Sequence, residues 1–286
     1  MIKLYNNFNI QNIHKKSIIL IGNFDGLHLG HQKLFHLAKR YKKKFSLKVG
    51  VLTFEPMPKM YFNKNIKNFR ISNKKQKINL LNKFNVDFVI IKKFNKKFSK
   101  IKSIDFIKKI LSKKLNARFI FVSNNFRFGN KREGDVRQLI KYEHQCNYKI
   151  IKPKPLLIKK KVVSSTLIRN YLQKGKLDKI NKLLNREWSI EGKVQKGRQL
   201  GKKIGFPTAN MDIKDYVLGC PGVYAVRGKI AKSSKYLKGI ANLGYRPTFN
   251  GKKILLEVHL FNFSGNLYNK YLTVEFLKFI RKEKKF

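Results

Sequence analysis

Two histidines three residues apart in a glycine-bracketed turn are the first feature of this sequence that could do chemistry. The stretch Gly22-Asn23-Phe24-Asp25-Gly26-Leu27-His28-Leu29-Gly30-His31 follows the apolar run 17–22 (SIILIG) and precedes Leu34, Leu37, Ala38 and Tyr41 at helical spacing. A turn between a buried strand and a helix is where α/β sheets bind ligands, and the N–H groups and positive end of the helix attract phosphate there. His28 and His31 share one helical face, so two imidazoles can meet a phosphate, and Gly30 between them lets it approach the backbone. Only six histidines occur in the chain, which sets this pair apart from scattered surface histidines. A second candidate is Glu257 in the apolar run 255–261, where period-two alternation puts it on one face with His259 and opposite Leu256, Val258 and Leu260. A carboxylate there is costly unless it is paired or used. It either faces solvent beside one of many lysines or serves a reaction. Acids are scarce past residue 185: Glu187, Glu191, Asp212, Asp215, Glu257, Glu275 and Glu283.

The elements that must position these residues change character along the chain. Runs 48–54, 86–91 and 118–122 are rich in β-formers and are separated by helix-like stretches at 74–84 and 104–115. Strands alternating with helices predict a parallel sheet in an α/β domain. Residues 164–173 and 177–184 read as two closing helices. Beyond 185 helical periodicity gives way to Gly192, Gly197, Gly201, Gly205, Gly219 and Gly222, and to short runs at 222–226, 239–243, 255–261 and 272–279. These predict antiparallel strands closing a small β-barrel. The expected domains are therefore 1–185 and 186–286, with no internal repeat, heptad run or low-complexity tail.

Composition removes several classes of function. The 286 residues carry 66 Lys plus Arg against 15 Asp plus Glu, a formal net charge of +51, but 42% are hydrophobic, too many for a disordered polycation. Basic residues are spread along the chain together with an excess of Asn, Ile, Phe and Tyr, residue types that share AT-rich codons. Codon bias and solubility explain the charge better than a dedicated nucleic-acid site, although weak, salt-sensitive binding to polyanions follows from it. Cys146 and Cys220 form no CxxC pair, which excludes a disulfide framework and a zinc site built on cysteine alone. No GxxxxGK(S/T) occurs, so any ATP-using domain here holds phosphate by another route. Residues 1–10 are polar and Asn-rich, and no apolar run approaches the roughly 20 residues of a membrane span. A soluble protein of a reducing cytoplasm, without a membrane partner, is expected; the sequence leaves its oligomeric state open.

The turn at 22–31 resembles the HxGH signature of the nucleotidyltransferase superfamily. Ser164-Ser165-Thr166-Leu167-Ile168-Arg169 resembles its second signature, (I)SSTxIR, in the expected order and at a helix start. Thr53-Phe54-Glu55-Pro56-Met57-Pro58 and Asn125-Phe126-Arg127-Phe128-Gly129 look like the FEPxP and (D/N)FxFG segments of bacterial FAD synthetases, continued by Arg132-Glu133-Gly134-Asp135. Ser123 stands where that family often has Gly, and Asn124 replaces a frequent acid. In the second half, Gly197-Arg198-Gln199-Leu200-Gly201 and Ile204-Gly205-Phe206-Pro207-Thr208-Ala209-Asn210 resemble the GFPTAN region of riboflavin kinases. Asn242-Leu243-Gly244-Tyr245-Arg246-Pro247-Thr248 resembles their NxGxRPT turn, and Leu256-Glu257-Val258-His259-Leu260 their LEVHL strand. Over essentially its whole length the chain is similar to the bifunctional riboflavin kinase/FAD synthetases.

That resemblance implies a Rossmann-like nucleotidyltransferase domain followed by a small antiparallel kinase barrel, acting on ATP, riboflavin and FMN with Mg²⁺ and ending in FAD. In the first domain it implies ATP contacts at Gly22, Asn23, Phe24, Asp25, Gly30, Ser164, Ser165, Thr166 and Arg169. His28 and His31 would stabilise phosphate charge, and Asn125, Phe126 and Arg127 would meet the flavin. In the barrel it implies nucleotide or flavin contacts at Gly197, Gly205, Phe206, Pro207, Asn242 and Arg246, with Thr208 and Asn210 as neutral oxygen ligands of Mg²⁺. Glu257 becomes the base that activates riboflavin's 5′-hydroxyl. The family continues past the basic stretch 280–286 into a further helix that helps enclose the flavin; the sequence ends at Phe286, so a kinase domain without that cover is expected. Two rival readings are a monofunctional nucleotidyltransferase with a non-catalytic barrel, and a basic nucleic-acid-binding barrel with aromatics exposed on its strand faces.

Overall fold

Strand residues that alternate between two apolar faces build the first half of the chain. The computed structural model describes residues 2–66, 69–196, 207–231, 233–248 and 251–283, with 245–248 and 251–254 as backbone only. Among these residues six strands form one parallel sheet: β1 (Lys3–Tyr5), β2 (Ile18–Ile21), β3 (Val49–Glu55), β4 (Phe88–Lys93), β5 (Phe119–Phe121) and β6 (Lys149–Ile151). Their order is β1-β4-β3-β2-β5-β6. Ile18 and Leu20 of β2 join a core with Leu34, Phe35 and Ala38 of helix α1 (Leu29–Phe45). Ile19 and Ile21 join the opposite core with Ile107, Ile110 and Leu111. Burial on both faces is why these strands read as unbroken apolar runs. The strand order reverses at β2, which has β3 on one side and β5 on the other, so the carboxyl end of β2 is the topological switch point where such sheets bind ligands.

The expected strands at 17–22, 48–54, 86–91 and 118–122 are β2 to β5. The predicted helix at 104–115 begins with an α-helical turn, Ser103–Asp105, and continues as a π-helix, Phe106–Lys114. The expected helix at 74–84 is α2 (Lys74–Lys83), and a short α3 (Val136–Lys141) follows the 127–135 loop.

The second half closes on itself. Strands β7 (Trp188–Gln195), β8 (Ala209–Asp212), β9 (Gly222–Ile230), β10 (Leu237–Thr248), β11 (Gly251–Leu260) and β12 (Tyr271–Lys282) form an antiparallel barrel in the order β7-β8-β11-β10-β9-β12. Leu256, Val258 and Leu260 are buried inside it, together with Trp188, whose ring lies 4.6 Å from that of Phe276. Glu257 and His259 are only half-buried, on the outer face, as the alternation predicts.

By packing, the chain divides into 1–66 with 77–162 and 67–76 with 163–286, earlier than the textural change near 185. The reason is the closing helices, α4 (Ser165–Gln173) and α5 (Leu177–Leu184), which bury Leu172, Ile180, Leu183 and Leu184. Asn181 ties them to the barrel: its Nδ2 donates to Phe276 O at 3.1 Å and its Oδ1 accepts from Trp188 N at 2.8 Å. Residues 70–76 are fastened to the same unit. The Tyr216 hydroxyl donates to Gln76 Oε1 at 2.7 Å and accepts from Glu191 N at 3.0 Å. Burial accordingly pushes the Tyr216 phenol above its ordinary range. Tyr216→Phe deprives the Glu191 N–H of this acceptor and is expected to lower stability by about 1–3 kcal/mol. Urea unfolding measures this, and an unchanged midpoint would show the hydroxyl to be dispensable.

Candidate active sites

The turn at the switch point is strained and tightly held. Phe24, Gly26 and Leu27 have φ of 47°, 78° and 38°, in the left-handed region that only Gly26 adopts without cost. Phe24 is buried against Phe35, with centroids 5.1 Å apart, and meets the edge of the His31 ring at 5.2 Å. A side chain at Gly22 would crowd that same Phe24 ring, 3.1 Å from the added carbon. Asp25 is buried beneath the turn and Asn23 is exposed on it. His28 is the N-cap of α1: its Nδ1 accepts from His31 N at 3.4 Å. An accepting Nδ1 places the proton on Nε2, so His28 presents an N–H donor. The two imidazoles stack, with centroids 3.7 Å apart and planes 20° from parallel. Among the described residues His31 Nδ1 is buried without a partner, and burial, with His28 beside it, holds the His31 pKa well below its usual value. His31 is therefore a neutral donor at neutral pH. Gly30 follows as the second residue of α1, partly exposed.

Below the turn lies a residue the sequence reading did not single out. Lys77 is 4% exposed; its Nζ donates to Thr53 Oγ1 at 3.2 Å and to Asn23 O at 3.4 Å. A buried lysine amine at the ends of β2 and β3 braces the turn from below. Nothing in the sequence distinguishes this lysine among 66 basic residues.

Ser164 caps α4, its Oγ accepting from Leu167 N at 3.2 Å; Ser165 and an exposed Thr166 follow in the first turn. Arg169 donates from Nε to Phe69 O at 2.8 Å, and its guanidinium carbon lies 3.7 Å from the centroid of the Phe69 ring. This signature belongs to the compact unit that contains the barrel.

Asn125, Phe126 and Arg127 line a cleft of about 390 Å³ together with Arg132, Asp135, Arg137 and Lys152. Phe126 stacks on Phe128, with centroids 5.5 Å apart. The loop is pinned at Gly129, whose φ is +78° and where an added Cβ would lie 2.8 Å from Ser103, leaving no room for a side chain. Asp135 caps α3 by accepting from Gln138 N at 2.9 Å, and that bond, with the Arg127 charge, holds its carboxyl below the usual range. An aromatic ring beside four cations suits a flat ligand that carries phosphate.

On the barrel, the backbone register sets three candidate side chains in one row. Asn210 of β8 is opposite Glu257 of β11, which is opposite Asn242 of β10. Cross-strand partners share a face, so both amides flank the carboxylate. Among the described residues, Asn210 Oδ1 and Asn242 Oδ1 are buried without a hydrogen-bond partner. Thr208 stands half-buried two residues before Asn210, and His259 Nδ1 lies 2.9 Å from Pro207 O, which makes it the donor there. Asn242 Nδ2 donates to Glu283 Oε1 at 3.3 Å, which brings a second acid to the row. Glu283 was counted among the scarce acids, but only the β9–β12 pairing shows where it ends up. Gly197, Gly205 and Phe206 lie outside the described residues, and of Arg246 only the backbone is described, paired with Lys253. Among the described residues no three His, Cys, Asp or Glu side chains cluster as metal ligands. None of the helices there is long and apolar enough to cross a membrane.

Comparison with known proteins agrees with both halves. The FAD synthetase family model matches residues 10–167, and the riboflavin kinase model matches residues 184–286. A bifunctional riboflavin kinase/FMN adenylyltransferase of Buchnera aphidicola subsp. Schizaphis graminum is 40% identical over 278 residues, covering 96% of this chain and 89% of that protein. The protein of the same description from Escherichia coli K12 is 35% identical over 269 residues, covering 94% and 86%. A crystal structure described as a macrolide-efflux protein from Streptococcus pneumoniae superposes with a TM-score of 0.85 at 27% identity, covering 99% of this chain and 92% of that one. With both family models in sequence along it and relatives of this identity along nearly all of its length, the chain belongs to the bifunctional riboflavin kinase/FMN adenylyltransferases.

Proposed function

We propose that the chain makes FMN and then FAD. In the barrel, the 5′-hydroxyl of riboflavin attacks the γ-phosphate of ATP to give FMN and ADP. In the α/β half, the phosphate of FMN attacks the α-phosphate of a second ATP to give FAD and pyrophosphate. Residues 1–185 would supply adenylyl transfer and residues 186–286 the kinase. The observation that carries the reading is the row Asn210, Glu257 and Asn242: a carboxylate on the outer face of a barrel, flanked by amide oxygens that no donor among the described residues satisfies.

Glu257 accepts the proton of the riboflavin hydroxyl. Asn210, through its unpartnered oxygen, and Thr208 are suited to hold Mg²⁺, which when bound neutralises phosphate charge. Pro207 and Asn242, with Gly197, Gly205, Phe206 and Arg246, would meet nucleotide and flavin. In the other half, His28 and His31 donate to the phosphates, with Gly22, Asn23, Phe24, Asp25 and Gly30 shaping the turn around them. Ser164, Ser165, Thr166 and Arg169 would contact ATP phosphate from the second signature. Asn125, Phe126 and Arg127 receive FMN in the cationic cleft. Incubation with riboflavin and Mg-ATP, followed by chromatography, should show FMN appearing first and FAD after it. If neither product formed, the proposal would fall. If FAD formed only from supplied FMN, the barrel would be a non-catalytic scaffold.

A further inference from the structure

We infer that Phe69 is a positioning residue for adenylyl transfer, holding Arg169 in the orientation in which it meets the phosphates of ATP. This rests on the role proposed above for Arg169. An arginine on a helix has many rotamers, and its planar fork recognises phosphate only when the plane is set. Phe69 sets it twice. Its carbonyl accepts the Nε hydrogen at 2.8 Å, which fixes rotation within the plane, and its ring lies under the guanidinium at 3.7 Å, which fixes the plane itself. An arginine ordered before its ligand arrives loses less freedom on binding.

The holder is itself held. Arg70 N donates to Asp215 O at 3.1 Å, and Val217 N donates to Arg70 O at 2.7 Å. Trp188 Nε1 donates to Ile71 O at 3.0 Å, and Gln76 Nε2 to Ser189 O at 3.0 Å. Residues 69–76 are thus anchored on the same compact unit as α4, at the start of β7 and at the 215–217 turn. Barrel residues with no part in phosphate chemistry therefore decide where the arginine of the other reaction points.

The test compares Phe69→Ala, Phe69→Tyr and Arg169→Ala in the full chain, measuring FAD formation from supplied FMN and FMN formation from riboflavin separately. Phe69→Ala is expected to raise the KM for ATP in FAD formation about tenfold, with kcat changed less than about threefold, the scale of a lost stacking contact. Riboflavin phosphorylation stays at the parent rate and serves as the folding control. Phe69→Tyr, which keeps the ring, keeps the parent KM. In an Arg169→Ala background, Phe69→Ala adds less than about twofold, because the two residues act through one contact. The inference is overturned if Arg169→Ala impairs FAD formation while Phe69→Ala leaves the KM for ATP unchanged, or if the Phe69→Ala penalty is the same in both backgrounds. If Arg169→Ala itself leaves FAD formation intact, the proposed ATP role of Arg169 fails first, and the inference with it.

Discussion

Glu257→Gln is expected to reduce FMN formation from riboflavin by about 10²- to 10⁴-fold, the range for losing a positioned general base. A primary hydroxyl is a poor nucleophile with a high pKa, so this transfer gains from a group that takes its proton as the bond to phosphorus forms. Gln is nearly isosteric with Glu, so packing on the outer face of β11 is kept and only the capacity to accept a proton is lost. Asn210 and Asn242 remain opposite the new amide. FAD formation from supplied FMN should stay near the parent rate, because its nucleophile is a phosphate that is already anionic. Chromatographic assay of each step separates the two outcomes. Parent-rate phosphorylation by Glu257→Gln would move the base elsewhere, with Glu283, joined to the same row through Asn242, as the next acid to test.

How much of this was legible in the sequence depends on what distance along the chain hides. The face of Glu257 could be read because Leu256, Val258 and Leu260 alternate beside it, and burial places them inside the barrel. Its neighbours could not, since the pairing of β8 with β11 and of β11 with β10 is set by register between distant segments. The switch-point turn was legible from strand, glycine and histidine spacing. Lys77 was not: a buried lysine looks like any other until Thr53 and Asn23 are seen around it. The edge strands β1 and β6 span three residues each, too few to show a period, and Lys3–Tyr5 sits in a polar stretch. The helices at 165–184 followed the α/β alternation in texture, so their side of the divide was hidden. Leu183 and Leu184 are buried in a helix that packs with the barrel in one unit, and only packing reports that.

His28→Ala and His31→Ala are each expected to slow FAD formation from FMN by about 10²-fold or more, the cost of losing one preorganised donor to developing charge. No general base is needed in this step, so under the proposed mechanism the imidazoles act as N–H donors to the phosphates. The His28 tautomer follows from its cap to His31 N, and burial keeps His31 neutral. Two stacked cations at 3.7 Å would repel, so the pair acts better as neutral donors than as charges. FMN formation should persist in both variants, which separates lost chemistry from lost folding. Unchanged FAD output in either would remove that histidine from the site. The same geometry makes a stability statement. Folding lowers the His31 pKa below its value of 6.5 in the unfolded chain, so as pH falls through 6.5 the unfolded chain takes up the proton first. The stability that neutral His31 contributes is whole above that pH and is lost below it. Melting temperature should therefore drop between about pH 7 and about pH 5.5. The drop should be smaller in His31→Gln, which keeps a polar side chain but cannot titrate. An equal drop in that variant would assign the acid sensitivity to another group, with His14, whose pKa burial also lowers, as the first to examine.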